Sequence, residues 1–519
     1  MLHGEKRTQM ASRRDELNAY TFAKRRTLAS FLQPSPSGSE EGAPKPLRAV
    51  LPGVIVGVVV LAVFGAWGMF KPTAPPKWDE LHKNVIVASK STTRYVVLRT
   101  DGKKQLHPVL NMASAKLLVD PSDNPPVTVS EDVLDSGKIP HGATIGIPYA
   151  PDRLPPDSEA ESAKRWAVCE RPGEGGRAIQ KAAFVLAKRD LGKTEGRESK
   201  LSGGDLMYVV GPDKAKTEYV VDAHGTAYPI EQGTDKEQLL RALGINLPAG
   251  QKPERVSRDW LDTLNKGTQI SFPKLSGNPG AAARTNSTLD GTANRVGMVL
   301  KTPDQYYVVL SGTVAPITDF TAHLLLYSPD LIRLGQRGEP LKVSPGAVVS
   351  GQSFGPANWP KYQPNTVNEA TTTAGSRNTV CNVLDKVDSG NGRTTLSTWA
   401  GKNFPAPLPV GSSSAYVTAG SGQLYRQFTG TETNVGPVFL VTDTGLRYAM
   451  QSNSDSGADD AGIGTTAKER KARREEAKQA VTRLGYDKVD PAPIPLAWSQ
   501  FLPTGPRLST TAASQPQGS

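Results

Sequence analysis

Residues 219–230 read YVVDAHGTAYPI: an apolar β-branched run, a glycine turn at Gly225, then a second apolar run. That order is a β-hairpin signature. Residues 439–450 read FLVTDTGLRYAM in the same register, so Tyr448 falls where Tyr228 does. Two more runs, Tyr95-Val-Val-Leu and Tyr307-Val-Val-Leu, lead into Gly102 and Gly312. A hairpin recurring along a chain indicates an array of like units.

The surroundings of the hairpins repeat as well. Met207-Tyr-Val-Val-Gly-Pro precedes the second and Ala415-Tyr-Val-Thr-Ala-Gly the fourth. Val87-Ala-Ser-Lys and Val299-Leu-Lys-Thr each start eight residues before the tyrosine of the first and third. After the second and fourth come helical patterns ending RALGI (241–245) and TRLGY (482–486), then segments carrying Trp260 and Trp498. The first unit has a weaker counterpart at 130–142, SEDVLDSGKIPHG, and the third, from His323 to Gly346, lacks the tryptophan.

The two cysteines share a context, Arg165-Trp-Ala-Val-Cys169 and Arg377-Asn-Thr-Val-Cys381. That points to a duplicated half, and exported proteins usually pair such thiols, so a Cys169–Cys381 disulfide is expected. The expected fold is α+β and β-rich: a single N-terminal transmembrane helix, then an extracytoplasmic domain of four small hairpin-based repeats in two pseudo-symmetric halves around a disulfide-linked central segment. The expected boundaries are repeat 1 at 85–150, the central segment's first half at 157–204 and repeat 2 at 205–276. A Gly/Ala/Ser/Thr/Asn-rich linker at 277–294 leads to repeat 3 at 295–356, the central segment's second half at 357–410 and repeat 4 at 411–506. Residues 507–519 read as a polar disordered tail.

Ahead of this array, residues 49–70 read AVLPGVIVGVVVLAVFGAWGMF, with no charge between Arg48 and Lys71. About 20 such residues cross a hydrocarbon core of roughly 30 Å as a helix. Lys6, Arg7, Arg13, Arg14, Lys24, Arg25, Arg26, Lys45 and Arg48 precede it, and only Lys71 and Lys77 follow closely. The positive-inside rule places the N-terminus in the cytoplasm and the bulk of the chain outside the cell membrane. Gly53 and Gly57, with Ala62 and Ala66, put small residues on one helical face, where a second helix can pack closely. A Pro-rich stalk occupies 71–84.

The cytoplasmic arm, 1–48, has a helix-start signal at Ser12 with Asp15 and Glu16 behind it. Leu17, Tyr20, Leu28 and Phe31 are spaced as an apolar stripe, with Arg13, Arg14, Arg25 and Arg26 on other positions. A basic amphipathic helix that lies on the inner leaflet or docks a partner fits this pattern.

The net charge of +11 invites a nucleic-acid reading. The arm holds much of that charge, and no stripe of bases interleaved with aromatics follows, so no nucleic acid is expected. No HExxH, CxxC or Gly-x-Ser-x-Gly appears, and no metal is expected. Gly192-Lys193-Thr194 carries the ending of a phosphate loop, but Ala187 stands where the first glycine belongs and no hydrophobic strand is read ahead of it. His107 and His224 lie at or near second hairpin strands and read as structural. Nothing identifies a catalytic residue.

The arm at 12–50, SRRDELNAYTFAKRRTLASFLQPSPSGSEEGAPKPLRAV, running straight into the apolar stretch, resembles the N-terminus of the EccB family. That family is the membrane-anchored core component of actinobacterial type VII (ESX) secretion systems. The resemblance extends through the exterior repeats and both cysteines. It implies a scaffold that assembles with EccC (the motor ATPase), EccD and EccE in the inner membrane, works with a mycosin protease and multimerises through its exterior domain. Family members have been labelled ATPases, that is, nucleotide hydrolases, and on that label alone ATP is a cofactor. A scaffold is the favoured expectation; an ATP-hydrolysing component or a cell-wall-binding anchor are the alternatives.

Overall fold

A computed structural model describes residues 12–32, 47–69, 74–121, 125–173, 178–245, 253–368, 377–409, 414–450 and 467–517. The chain divides into two compact units, Met1–Pro75 and Pro76–Ser519.

The first unit holds α1 (Arg13–Leu32) and α2 (Leu47–Met69). Asp15 and Glu16 sit in the first turn of α1, and the Arg14 N–H donates to Ser12 Oγ at 3.3 Å. At 3.6 residues per turn, Leu17, Tyr20, Leu28 and Phe31 fall within an arc of roughly 80°. Arg13 and Lys24 fall in the same arc, so cations interrupt the apolar stripe. All four apolar side chains are exposed. In α2 the described side chains run from Val50 to Gly65, apolar throughout and exposed wherever a side chain projects. Among the described residues, no helix is long and apolar enough to cross a membrane. Gly53 and Gly57 open onto empty space, while the Ala66 side chain and Phe70 lie outside the described residues.

The second unit is β-rich, with five sheets among the described residues. The first combines β1 (Ile86–Ala88), β2 (Arg94–Thr100), β3 (Lys103–Val109) and, after α3 (Met112–Leu118), β4 (Val127–Val129). Its order is β3-β2-β1-β4: an antiparallel meander with a last strand returning parallel to the first. The short α4 (Glu131–Leu134) follows. Helix α5 (Asp157–Glu161) leads to β5 (Arg165–Arg171) and β6 (Gln180–Leu186) of a different sheet.

The second small sheet contains β7 (Asp205–Val210), β8 (Glu218–Asp222), β9 (Thr226–Pro229) and, after α6 (Lys236–Ala242), β10 (Glu254–Arg255), parallel to β7. Then come α7 (Arg258–Leu261) and β11 (Asn265–Lys266), which extends the sheet beside β9. The third contains β12 (Val299–Lys301), β13 (Tyr306–Leu310), β14 (Thr313–Ile317), α8 (Asp319–Leu326) and β15 (Leu341–Lys342), parallel to β12. The chain then lays β16 (Asn365–Thr366) beside β7.

Next come β17 (Thr379–Val387), β18 (Thr394–Gly401) and β19 (Ala415–Val417), which join β5 and β6 in a central sheet ordered β18-β17-β5-β6-β19. The fourth small sheet closes the chain with β20 (Gly422–Phe428), β21 (Val438–Thr442), β22 (Arg447–Ala449), α9 (Ala467–Leu484) and β23 (Ala492–Pro495), parallel to β20. Helices α10 (Leu496–Ser499) and α11 (Thr510–Ala513) end it.

Local chemistry explains the common pattern. Gly102, Gly225, Gly312 and Gly445 take φ of 75°, 70°, 80° and 79° in the tight hairpin turns, a region that favours glycine. Helices α6 and α9 end alike: Ile245 N–H reaches back to Leu240 O, and Tyr486 N–H to Val481 O, across Gly244 and Gly485 at positive φ. This is the Schellman closure.

One core joins the central sheet to the second and fourth small sheets through Trp166, Trp260, Tyr425, Phe439 and Trp498. Another joins the first and fourth through Leu117, Leu440 and Tyr448. A third joins the second sheet to α8 through Tyr208, Leu239, Phe320 and Trp359.

Four expectations need correction. Ala415–Val417 does not open the fourth hairpin unit: it pairs with β6, and Gly422–Phe428 pairs with β21 instead. Both runs are apolar and short, and only the partner decides between them. The expected linker 277–294 is folded, with Ala283 and Ala293 in one core with Val296, Met298 and Val314. Small side chains let its backbone lie close to the sheet, and Gly312 N–H donates to Ala283 O at 2.7 Å. The end of the expected stalk packs on the first sheet, where Asp79 pairs with Lys104 at 2.6 Å and His82 N–H donates to Val97 O. Nor is 507–517 a free tail: Leu508, Ser509 and Ala513 are fully buried, and Ser509 caps α11 by accepting from Ala512 N–H.

Candidate functional site

Strands β5 and β17 lie far apart in the sequence of the second unit and pair antiparallel, with Cys381 directly across from Cys169. Their sulfurs are bonded at 2.01 Å, and both residues are fully buried. Each half thus adds a two-stranded antiparallel ribbon, β5–β6 or β17–β18, to one sheet sealed by the disulfide. The matched arginines lie at opposite ends of this pairing. Arg165 pairs with Glu195 and, at 3.1 Å, with Asp385, while Arg377 donates to Ala400 O and Ser199 O.

Two tryptophans fix what covers the sheet. Trp260 Nε1 donates to Val168 O at 3.2 Å, and Trp166 Nε1 donates to Gln423 Oε1 at 2.8 Å. Ser257, the cap of α7, gives both its N–H and its hydroxyl to the buried carboxylate of Glu170 on β5. Glu170 escaped the sequence reading, although a carboxylate beside Cys169 in a fully buried run was a readable signal. Burial pushes its carboxyl up from the ordinary range, against the bonds from Ser257.

The Gly192-Lys193-Thr194 segment differs from its reading in one respect. A hydrophobic strand does feed it, since β6 runs into it with its last five residues buried. Instead of a cradle, residues 188–194 form a 3₁₀ helix whose amides turn inward, Asp190 N–H to Ala187 O at 2.8 Å. Lys193 lies 5.8 Å from the Tyr416 ring centroid and 3.7 Å from Asp190. Thr194 is buried and donates to Leu191 O. Burial raises the Asp190 carboxyl, but the Thr418 and Tyr416 hydroxyls with Lys193 and Arg189 outweigh it and leave Asp190 below its ordinary value.

His107 is buried on β3, its ring nitrogens 2.9 Å from Thr100 Oγ1 and 2.8 Å from Ala143 O. His224 is exposed in the turn before Gly225. Among the described residues, no group of three or more His, Cys, Asp or Glu side chains is arranged to hold a metal. A cleft of about 390 Å³ opens between α7, the β17–β18 turn and the β23–α10 corner, lined by Asp259, Asp262, Phe428, Pro495 and Leu496 among others. Its carboxylates are already paired, Asp259 with Lys181 at 2.6 Å and Asp262 with Arg258 at 3.2 Å.

Known proteins resemble this chain along nearly its whole length. The profile of the family described as "Type VII secretion system ESX-1, transport TM domain B" matches residues 9–518. A protein of Mycobacterium tuberculosis named "ESX-3 secretion system ATPase EccB3" is 27% identical, the match covering 90% of this chain and 82% of that protein. An "ESX-5 secretion system ATPase EccB5" of Mycobacterium marinum is 25% identical, over 97% and 93% of the two chains. In fold, a chain of an intact ESX-5 inner membrane complex matches with a TM-score of 0.53 at 20% identity, covering 99% of this chain and 98% of that one. A chain of an EccB3 dimer from an ESX-3 core complex matches with a TM-score of 0.52 at 22% identity, covering 83% and 100%.

Proposed function

The chain belongs to the EccB family of type VII secretion systems, and from that membership we propose that it is a structural core component of an ESX-type inner membrane complex. What carries the reading is that the family match takes in the basic arm, the apolar helix and the exterior unit together. In this reading residues 49–70 cross the membrane once, the arm is cytoplasmic and the exterior unit stands outside. Partners are EccC-, EccD- and EccE-type subunits and a mycosin protease, with further copies of the chain itself.

The exterior unit is read as four copies of one module, each a three-stranded meander, a helix and a parallel return strand. The copies form two pseudo-symmetric halves about the Cys169–Cys381 bond. Such a body holds subunits at fixed distances, which is a scaffold's task. Gly53, Gly57, Ala62 and Ala66 are the residues for helix packing in the membrane.

On the cytoplasmic side, Leu17, Tyr20, Leu28 and Phe31 with Arg13, Arg14, Arg25 and Arg26 are the docking residues for the motor side. Their exposure on α1 is consistent with that role. Leu17→Asp with Phe31→Asp keeps every positive charge and removes the apolar stripe. The doubly changed protein should insert normally but lose the motor on purification; normal co-purification would reduce the arm to a topology signal.

Relatives named as ATPases support a second reading, hydrolysis of ATP, with Gly192, Lys193 and Thr194 as the residues that reading would use. A cell-wall anchor is the third. Purification from detergent-solubilised membranes separates them: recovery of the motor and multispan subunits supports the scaffold, and retention on peptidoglycan the anchor. Hydrolysis by the pure protein, lost in Lys193→Ala, would support the enzyme.

A further inference from the structure

The outer edge of β7 is completed by two separate pieces of chain with a gap between them. Asn365 and Thr366 of β16 pair with Asp205 and Leu206, while Glu254 and Arg255 of β10 pair with Val209 and Val210. Between them the Asn368 side chain takes the place of a strand. Its Oδ1 accepts from Tyr208 N–H at 2.6 Å and its Nδ2 donates to Tyr208 O at 3.0 Å. The same Nδ2 donates to Glu254 Oε2 at 3.3 Å.

Glu254 is 3% exposed, its Oε1 is buried without a partner, and Asn368 is fully buried. Among the described residues no cation pairs with Glu254. The charged group that faces it is Glu170 on β5, itself backed by Lys181 of β6 at 4.0 Å and by Asp259 of α7. Its hydrogen bond comes from the Asn368 side-chain amide. A buried carboxylate beside a second carboxylate, with one oxygen unpaired, is costly; a neutral acid in the same place is not.

We infer that Glu254 and Asn368 form a proton-dependent latch that fastens residues 365–368, the stretch ahead of β17, to the edge of β7. Loss of the proton from Glu254 leaves a charge that the site cannot solvate, and the stitch at Tyr208 opens. Burial, then the neighbouring Glu170, holds the Glu254 carboxyl well above its ordinary range, against the Asn368 bond. The sign follows from linkage. A folded pKa above the unfolded one gives stability that is complete below the ordinary carboxylate value and is lost as pH rises through the raised one. The open population therefore grows about tenfold for each pH unit in that window.

The test is hydrogen–deuterium exchange on the full-length protein in detergent from pH 5.5 to 8.5, corrected for intrinsic exchange, on peptides covering 205–210 and 361–368. Wild-type protection should fall steeply with pH, and Glu254→Gln should cut that fall by more than half. Glu254→Met, apolar and similar in length, makes the same prediction. Flat wild-type protection, or variants that lose protection as steeply as wild type, would overturn the latch. Should neither variant fold, the infrared spectrum of the wild type decides: a protonated carboxyl band at pH 7.5 supports the latch, and its absence ends it.

Discussion

Gly102 and Gly225 each stand immediately before the second strand of a hairpin, at φ of 75° and 70°, but their surroundings differ. A Cβ on Gly102 meets nothing, whereas one on Gly225 would lie 2.7 Å from Leu396 Cβ on β18. Gly102→Ala should cost about 1 kcal/mol, the left-handed penalty alone. Gly225→Ala adds overpacking against the central sheet and should cost about 3 kcal/mol; equal denaturant midpoints for the two variants would refute this. Glu131 shows how a charge orders a turn. Its carboxylate accepts from the Ser91 and Lys90 amides, both at 2.8 Å, and from the Ser89 hydroxyl, which holds its pKa down at about 2 against an ordinary 4.5. Because the folded value is depressed, its contribution is present above pH 4.5 and lost as pH falls toward 2. Exchange protection of the 89–92 turn should decline across that window. In Glu131→Gln the turn should be less protected at pH 7 and insensitive to acid there. The hairpin glycines were readable because a turn of two or three residues announces itself locally. Glu131 was not, because its partners lie about forty residues upstream on another element.

At the scale of elements, what sequence could and could not show divides by range. The β2–β3, β8–β9, β13–β14 and β21–β22 hairpins close over a few residues, so strand, glycine and strand stand next to each other in the chain. The parallel return strands are two to four residues long, too short to alternate, and their partners lie on the far side of a helix. They left no pattern to read. Composition points to a linker at 277–294 and to a disordered tail at 507–519, yet small residues such as Ala, Ser and Gly are also what allows close packing. The end of the chain offers a direct check. Leu508 is buried in the core shared by the first and fourth small sheets, and α11 packs on α3. Leu508→Ala should cost about 2–4 kcal/mol, as for a fully buried leucine. Removal of 507–519 should lower the melting temperature of the second unit further still. A truncated protein as stable as the intact one would mean that the contact is dispensable.

At the scale of the molecule, the central sheet decides what can fold alone. Its adjacent inner strands β5 and β17 carry cysteines 212 residues apart, and in the chain-entropy account closing such a loop contributes about 5 kcal/mol. Cys169→Ala with Cys381→Ala should lower unfolding stability by up to that amount while the far-UV dichroism stays unchanged. A double variant as stable as wild type would show that packing alone holds the halves together. Time enters the matter as well. During synthesis β5 is made long before β17, with one edge unpaired and one thiol unclaimed. Antiparallel pairing that sets cysteine opposite cysteine is as available to β5 of a neighbouring chain as to β17 of its own. Synthesis that stops before residue 377 should therefore leave dimers cross-linked through Cys169, visible on non-reducing gels. The speed at which the second half arrives thus decides whether a growing chain closes on itself or on its neighbour.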